Sequence, residues 1–202
     1  MSRVCRLALL VAAALTGATI AKAQEGRPLG DLWYPIPRAA QFLTGDSWSY
    51  QTVTYRLYGV QSCLRGTTFV NAHGIERDCG ETSLVVLAAL IKDLTPSCST
   101  VTEDAVQRIR FVVCMSTIKS GAAKGKTIDL GTAIITQGYA MAALKADGSL
   151  AHPAYGVAED QARRQKAGLW QFAFPNPNAI IVQTLRGQLN PQPQHTQTPP
   201  VQ

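Results

Sequence analysis

The cysteines constrain this chain more tightly than any other feature. Met1 to Ala23 carries Arg3 and Arg6, an apolar run from Leu7 to Ala14 that continues weakly to Ala21, and then Ala21-Lys22-Ala23. That is the n-region, h-region and A-x-A site of a secretory leader, too short and too rich in alanine for a stable membrane anchor. A mature chain starting at Gln24 is therefore expected, periplasmic or secreted and without a membrane span. Cleavage removes Cys5 and leaves Cys63, Cys79, Cys98 and Cys114, an even number in an exported protein, where disulfides form and persist. Three pairings are open. Cys63–Cys79 and Cys98–Cys114 are favoured, because each pair brackets a local excursion between candidate neighbouring elements, and each bond contributes roughly 3 kcal/mol by loop entropy. A metal site is a poor alternative, since no C-x-x-C occurs and His73, His152 and His195 are scattered.

Cleavage also removes Arg3, Arg6 and Lys22 and no acid, so the formal charge of +6 falls to +3. An ordinary soluble surface accounts for that balance, which gives little support to a nucleic-acid partner. A hydrophobic content of 46% suits one core. The expected organisation is a lead-in over 24–38, a domain over 39–174, and a Pro- and Gln-rich tail over 175–202 that is disordered from about Asn190.

Within the domain, two strand-like runs from Ala39 to Val60 flank the turn Thr44-Gly45-Asp46-Ser47. In the second run Val53, Tyr55 and Leu57 alternate with Thr54, Arg56 and Tyr58, which sets Arg56 on the face opposite the large apolar side chains. Leu64 to Asp78 reads as a loop or small hairpin, and Gly80 to Leu94 as a helix with Leu84, Leu87, Leu90 and Ile91 on one side. Ser99 to Met115 holds two strands around Glu103-Asp104, with Arg108 and Arg110 facing away from Ile109, Phe111 and Val113. Asp129 can cap a helix with apolar positions Leu130, Ala133, Ile134 and Ala140 and with Gly138 inside it. The basic loop Lys119 to Lys126 lacks the order of a phosphate-binding loop. Ile180 to Leu189 forms either a short docking helix or a segment packed on the domain.

Several stretches together resemble the staphylococcal-nuclease (thermonuclease-like) family. They are Tyr155-x-x-Ala158-Glu159-x-x-Ala162-Arg163-x4-Gly168-Leu169-Trp170; Asp129-Leu130 with Ile134-Ile135 and Gly138-Tyr139-Ala140; Cys79-Gly80; and Thr44-Gly45-Asp46-Ser47 ahead of Arg56-Leu57-x-Gly59-Val60. They run from Thr44 to Trp170 in the family's order. The resemblance implies an α+β fold, an OB-like five-stranded barrel with about three packed helices. It also supports the favoured disulfide pairing, which resembles that of the family's exported branch.

As the resemblance implies it, the family's chemistry is calcium-dependent hydrolysis of phosphodiester bonds. Two aspartates hold the metal, a glutamate handles the attacking water and two arginines neutralise the phosphate. Asp46 matches one aspartate and is the only candidate metal ligand, which makes any calcium site weak. Arg56 matches the first arginine, and Arg108 the second, with Arg110 as its alternative. The family's D-A-P-E is missing. Without a gap its positions hold Gln61, Ser62, Cys63 and Leu64; with a gap it is deleted and Gln61-Ser62-Cys63 matches the Q-x-C that normally follows. Asp78 and Glu81 are the nearest substitute carboxylates. The resulting expectation is an exported protein that has lost most catalytic power and serves as an anion-binding or accessory envelope factor, with exopolysaccharide production one such role. A nucleic acid or other polyanion, and an envelope protein held through the C-terminal tail, are the partners it suggests. An active nuclease whose carboxylate comes from elsewhere is the alternative.

Overall fold

The computed structural model describes residues 32–189. The leader, the first part of the lead-in and the tail from Asn190 lie outside the described residues. The fold is α+β. Its main sheet runs in the order β1 (Tyr34–Pro35), β8 (Ser97–Asp104), β9 (Ile109–Thr117), β4 (Val53–Leu57), β3 (Ser47–Tyr50) and β2 (Gln41–Thr44), with β10 (Thr127–Asp129) also on β9. Every pair is antiparallel except β4 with β9. The sheet curls into a half-barrel. Two small antiparallel sheets complete it, β5 (Val60–Ser62) with β11 (Ala140–Ala142) and β6 (Thr68–Val70) with β7 (Glu76–Asp78).

This differs from the expected five strands and about three helices. The described residues hold seven strands in the main sheet and four α-helices: α1 (Cys79–Leu94), α2 (Leu130–Thr136), α3 (Pro153–Arg164) and α4 (Pro177–Leu189). Extra strands arise where sequence gives weak signals. Tyr34–Pro35 of the lead-in pairs with β8. Gln51 turns the chain between β3 and β4 at φ +55°, a left-handed conformation that no glycine or proline announces. The run from Ala39 to Leu57 is thus three strands rather than two, and Gly59 at φ +74° sends β5 off to a separate partner.

The core gathers Trp48, Leu57, Val60, Leu87, Val112, Leu130 and Ile134, each at most 2% exposed. Trp48 stacks on its cross-strand partner Tyr55 at 6.1 Å. Both favoured disulfides form. Cys98–Cys114 links β8 to β9 across the sheet, and Cys63–Cys79 ties the end of β5 to the first residue of α1. Among the described residues no helix is long and apolar enough to cross a membrane.

Asp129 caps α2 as expected, accepting from the Thr132 amide at 2.6 Å. The helix stops at Thr136, however, and Ala140 belongs to β11. Gly138, outside the helix rather than inside it, adopts φ +79°, and a Cβ there would collide with the Ala167 carbonyl. The signature residues of α3 all pack. Tyr155 donates to Asp129 at 2.7 Å, and its ring leaves no room for a side chain at Gly131. Buried Glu159 accepts from the Ala142 amide at 2.8 Å and pairs with Arg163, whose guanidinium lies 4.5 Å from the Trp170 ring centre. The start of α4 is tied to the domain, since Asn178 donates to the Ala142 carbonyl at 2.9 Å.

Burial pushes the Tyr155 phenol well above its ordinary value of 10.0, helped by the Asp129 charge and the hydrogen bond to it. Above about pH 10 the unfolded chain releases this proton while the folded chain keeps it, so stability falls as pH rises. Tyr34 is also held up, chiefly by burial, and acts in the same direction. Tyr155→Phe should lower stability near neutral pH by about 1–2 kcal/mol. It should also flatten the alkaline loss without abolishing it, as urea titrations at neutral and alkaline pH would show; an unchanged alkaline slope would contradict this account.

Candidate functional site

Asp46 sits in the tight turn between β2 and β3. Gly45 beside it packs on α1 so closely that an added Cβ would meet the Cβ of Ser83. The β3–β4 register sets Ser47 opposite Arg56, which brings the guanidinium to the Asp46 carboxylate. Arg56 Nε and Nη2 reach Asp46 Oδ2 at 3.0 and 2.9 Å. The other oxygen, Oδ1, accepts from Thr44 Oγ1 at 2.5 Å and Ser62 Oγ at 3.2 Å. Arg56 Nη2 also donates to Gln61 Oε1 at 2.8 Å, while Gln61 Nε2 donates to the Ser62 carbonyl at 2.9 Å. Gln61 and Ser62 are fixed from behind by pairing with Met141 and Ala140 of β11.

The Asp46 side chain is 3% exposed and that of Arg56 37%. A carboxylate offers about four lone-pair sites, and four donors fill those of Asp46. Calcium takes about six to eight oxygen ligands. Here the matching carboxylate is fully engaged, and Gln61, at the position of the missing aspartate in the ungapped alignment, and its neighbour Ser62 spend their oxygens within the cluster. This donor set does not fit calcium. Among the described residues no three His, Cys, Asp or Glu side chains converge as a metal site would need.

Arg56 and Arg108 are not brought together. In the parallel β4–β9 register Arg56 stands beside Phe111, while Arg108 lies three residues earlier, about 10 Å along a strand. It occupies the β8–β9 turn at φ +54°, exposed, and lines a shallow cleft of about 260 Å3 with Glu103, Asp104 and Arg110. Arg110 faces away from Arg56, beside Tyr55 in the register, and pairs with Glu103 at 3.4 Å.

Asp78 and Glu81 do not reach the cluster either. Asp78 caps α1, accepting from the Glu81 amide at 2.9 Å and the Gly66 amide at 2.7 Å. Burial would raise its pKa, yet the amides of Glu81, Gly66 and Gly80 together with Arg65 outweigh it and hold the carboxyl below 3.8. Glu81 is exposed in the first turn of that helix.

Sequence reasoning missed the partners. Thr44, Gln61 and Ser62 are the groups that complete the site, and Gln61 was legible only as the place of an absent aspartate. The available signal was one acid in a hairpin turn and one arginine on the strand after next, β4. Comparison with known proteins adds no identity, since no family model matches the chain and no curated protein does.

Removing one partner of a buried ion pair leaves an uncompensated charge. Arg56→Ala strands the Asp46 carboxylate and should destabilise by about 2–4 kcal/mol, whereas Asp46→Asn keeps the shape and frees Arg56 to solvent, for about 1–2 kcal/mol. Urea denaturation of the two variants tests the order; a larger loss for Asp46→Asn would mean that the pair does not govern this corner of the fold.

Proposed function

We propose that this protein is an exported, non-hydrolytic member of the thermonuclease-like family, with an OB-like barrel, that works as a binding or accessory factor in the cell envelope. The resemblance of the stretches between Thr44 and Trp170 supports the family reading, and the curled sheet with α2 and α3 packed behind it is compatible with it. Two disulfides suit an oxidising compartment.

The observation that carries the non-hydrolytic reading is the state of Asp46. Phosphodiester hydrolysis of this kind needs a held metal and a base beside the attacking water. Asp46 is saturated by Arg56, Thr44 and Ser62, and among the described residues no other carboxylate touches the cluster. Asp46 also cancels the charge of Arg56, so a phosphate approaching this arginine meets a neutral pair. That favours an accessory role over capture of nucleic acid at this point. Envelope polysaccharide production is a setting in which such a factor would serve.

Oxidised mature protein incubated with single-stranded DNA and with RNA should show no calcium-dependent cleavage, and Asp46→Asn should change nothing. A robust calcium-dependent cleavage that disappears in Asp46→Asn would establish the nuclease reading instead.

A further inference from the structure

The half-barrel leaves a seam. Its sheet begins at β1 and ends at β2, and residues 35–40 run between these edges beneath the C-terminal half of α1. A groove of about 510 Å3 opens there, within the size range of small-molecule sites, about 300–1,000 Å3. Its floor is apolar, formed by Ile36, Phe42 and Ile91, with Ala88 beside them. Ile36, Phe42 and Ile91 also pack against the main core, so that floor is held in place.

Among the described residues only two charged ones line the groove, Arg38 and Lys92, and both are basic and exposed. Neither has an ion pair or hydrogen-bond partner among the described residues. Asp93, next in sequence, does not line it. The negative end of α1 is close by and would oppose an anion. That end is capped, however, by the Thr95 amide on the Ile91 carbonyl, with Lys92 in the same last turn. An apolar trough with two unpaired cations at its mouth is complementary to one chemistry, an alkyl chain that ends in an anion.

We propose that this groove binds a free single-chain aliphatic carboxylate, the chain on the Ile36–Phe42–Ile91 floor and the head group at Arg38 and Lys92. The site is separate from the Asp46 cluster and does not depend on the function proposed above. Apolar burial supplies affinity at about 0.8 kcal/mol per methylene, or about fourfold per carbon. The two cations select the sign of the head group and make binding sensitive to salt.

The test is calorimetric titration of the full mature chain with a homologous series from hexanoate to dodecanoate, all below their micellar concentrations. Binding should tighten about fourfold per added carbon until the groove is filled, and alkyltrimethylammonium ions of equal length should bind about tenfold more weakly or worse, the size of one favourable charge contact. The double variant Arg38→Glu/Lys92→Glu, at two exposed positions, should reverse that preference with the fold intact by circular dichroism. Ala88→Trp, which fills the trough, should remove the dependence on chain length. No binding, no dependence on chain length, or equal binding of cations would overturn the proposal. So would association with phosphatidylglycerol vesicles in the absence of monomer binding, which would make the groove a membrane contact. Binding that appears only once residues 24–31 are deleted would also overturn it, showing that the chain fills its own groove.

Discussion

A carboxylate shut away from water has to be answered by donors, and in this protein the answer organises one end of the fold. Asp46 is reached by Thr44 from its own turn, by Arg56 from β4 and by Ser62 from β5. Satisfying one acid therefore fixes the relative positions of two hairpins and the short sheet that β5 shares with β11. Gly45 lets α1 close over the turn, and Ser83 of that helix donates to the Tyr139 carbonyl at 2.7 Å. The pair is worth little as net stabilisation against an apolar replacement, because desolvation offsets most of the attraction. Its value is geometric, since only one arrangement of these elements leaves no buried charge unpaired.

A second corner of the fold is held by a similar device. Asp129 accepts from the Thr132 amide and hydroxyl and from Tyr155, so a single carboxylate joins the start of α2 to α3. Glu159 does the same between α3 and β11 through the Ala142 amide. Ala158 and Ala162 keep the helix face low enough to pack. These are the residues on which the family resemblance rests, and each has a packing or capping duty that would hold in the absence of any reaction.

That division explains what was legible in the sequence. Period-2 alternation found β4 and β9, and helical spacing found α1, because burial on one face dictates both patterns. The cysteine pairs were readable because each closes a local excursion. The turn at Gln51 was not, since its left-handed backbone is imposed by the strands it joins rather than by its own chemistry. β11 was lost for a related reason: Ala140-Met141-Ala142 is too short to show alternation and is buried on both faces. For the site, Asp46 and Arg56 were identified by position, but their contact was not foreseen. Two residues that could have served a metal and a phosphate serve each other instead, an outcome set by the length of the Arg56 side chain and the register of β3 with β4. The register of β4 with β9, which separates Arg56 from Arg108, is a long-range pairing that no local pattern encodes.

Fold and chemistry thus part company at identifiable residues. The disulfides Cys63–Cys79 and Cys98–Cys114 and the carboxylate joints at Asp129 and Glu159 hold other parts of the half-barrel, while Asp46 and Arg56 form an internal ion pair. What the fold leaves exposed is then informative. The charges of Asp46 and Arg56 are used up within the fold, while Arg38 and Lys92, at the rim of an apolar seam, have no ion-pair partner among the described residues. Like charges gain nothing from one another, and a folded domain has no structural need for a trough between the two edges of its sheet. The groove at the seam, rather than the cleft at Asp46, is where this molecule has binding capacity to spare.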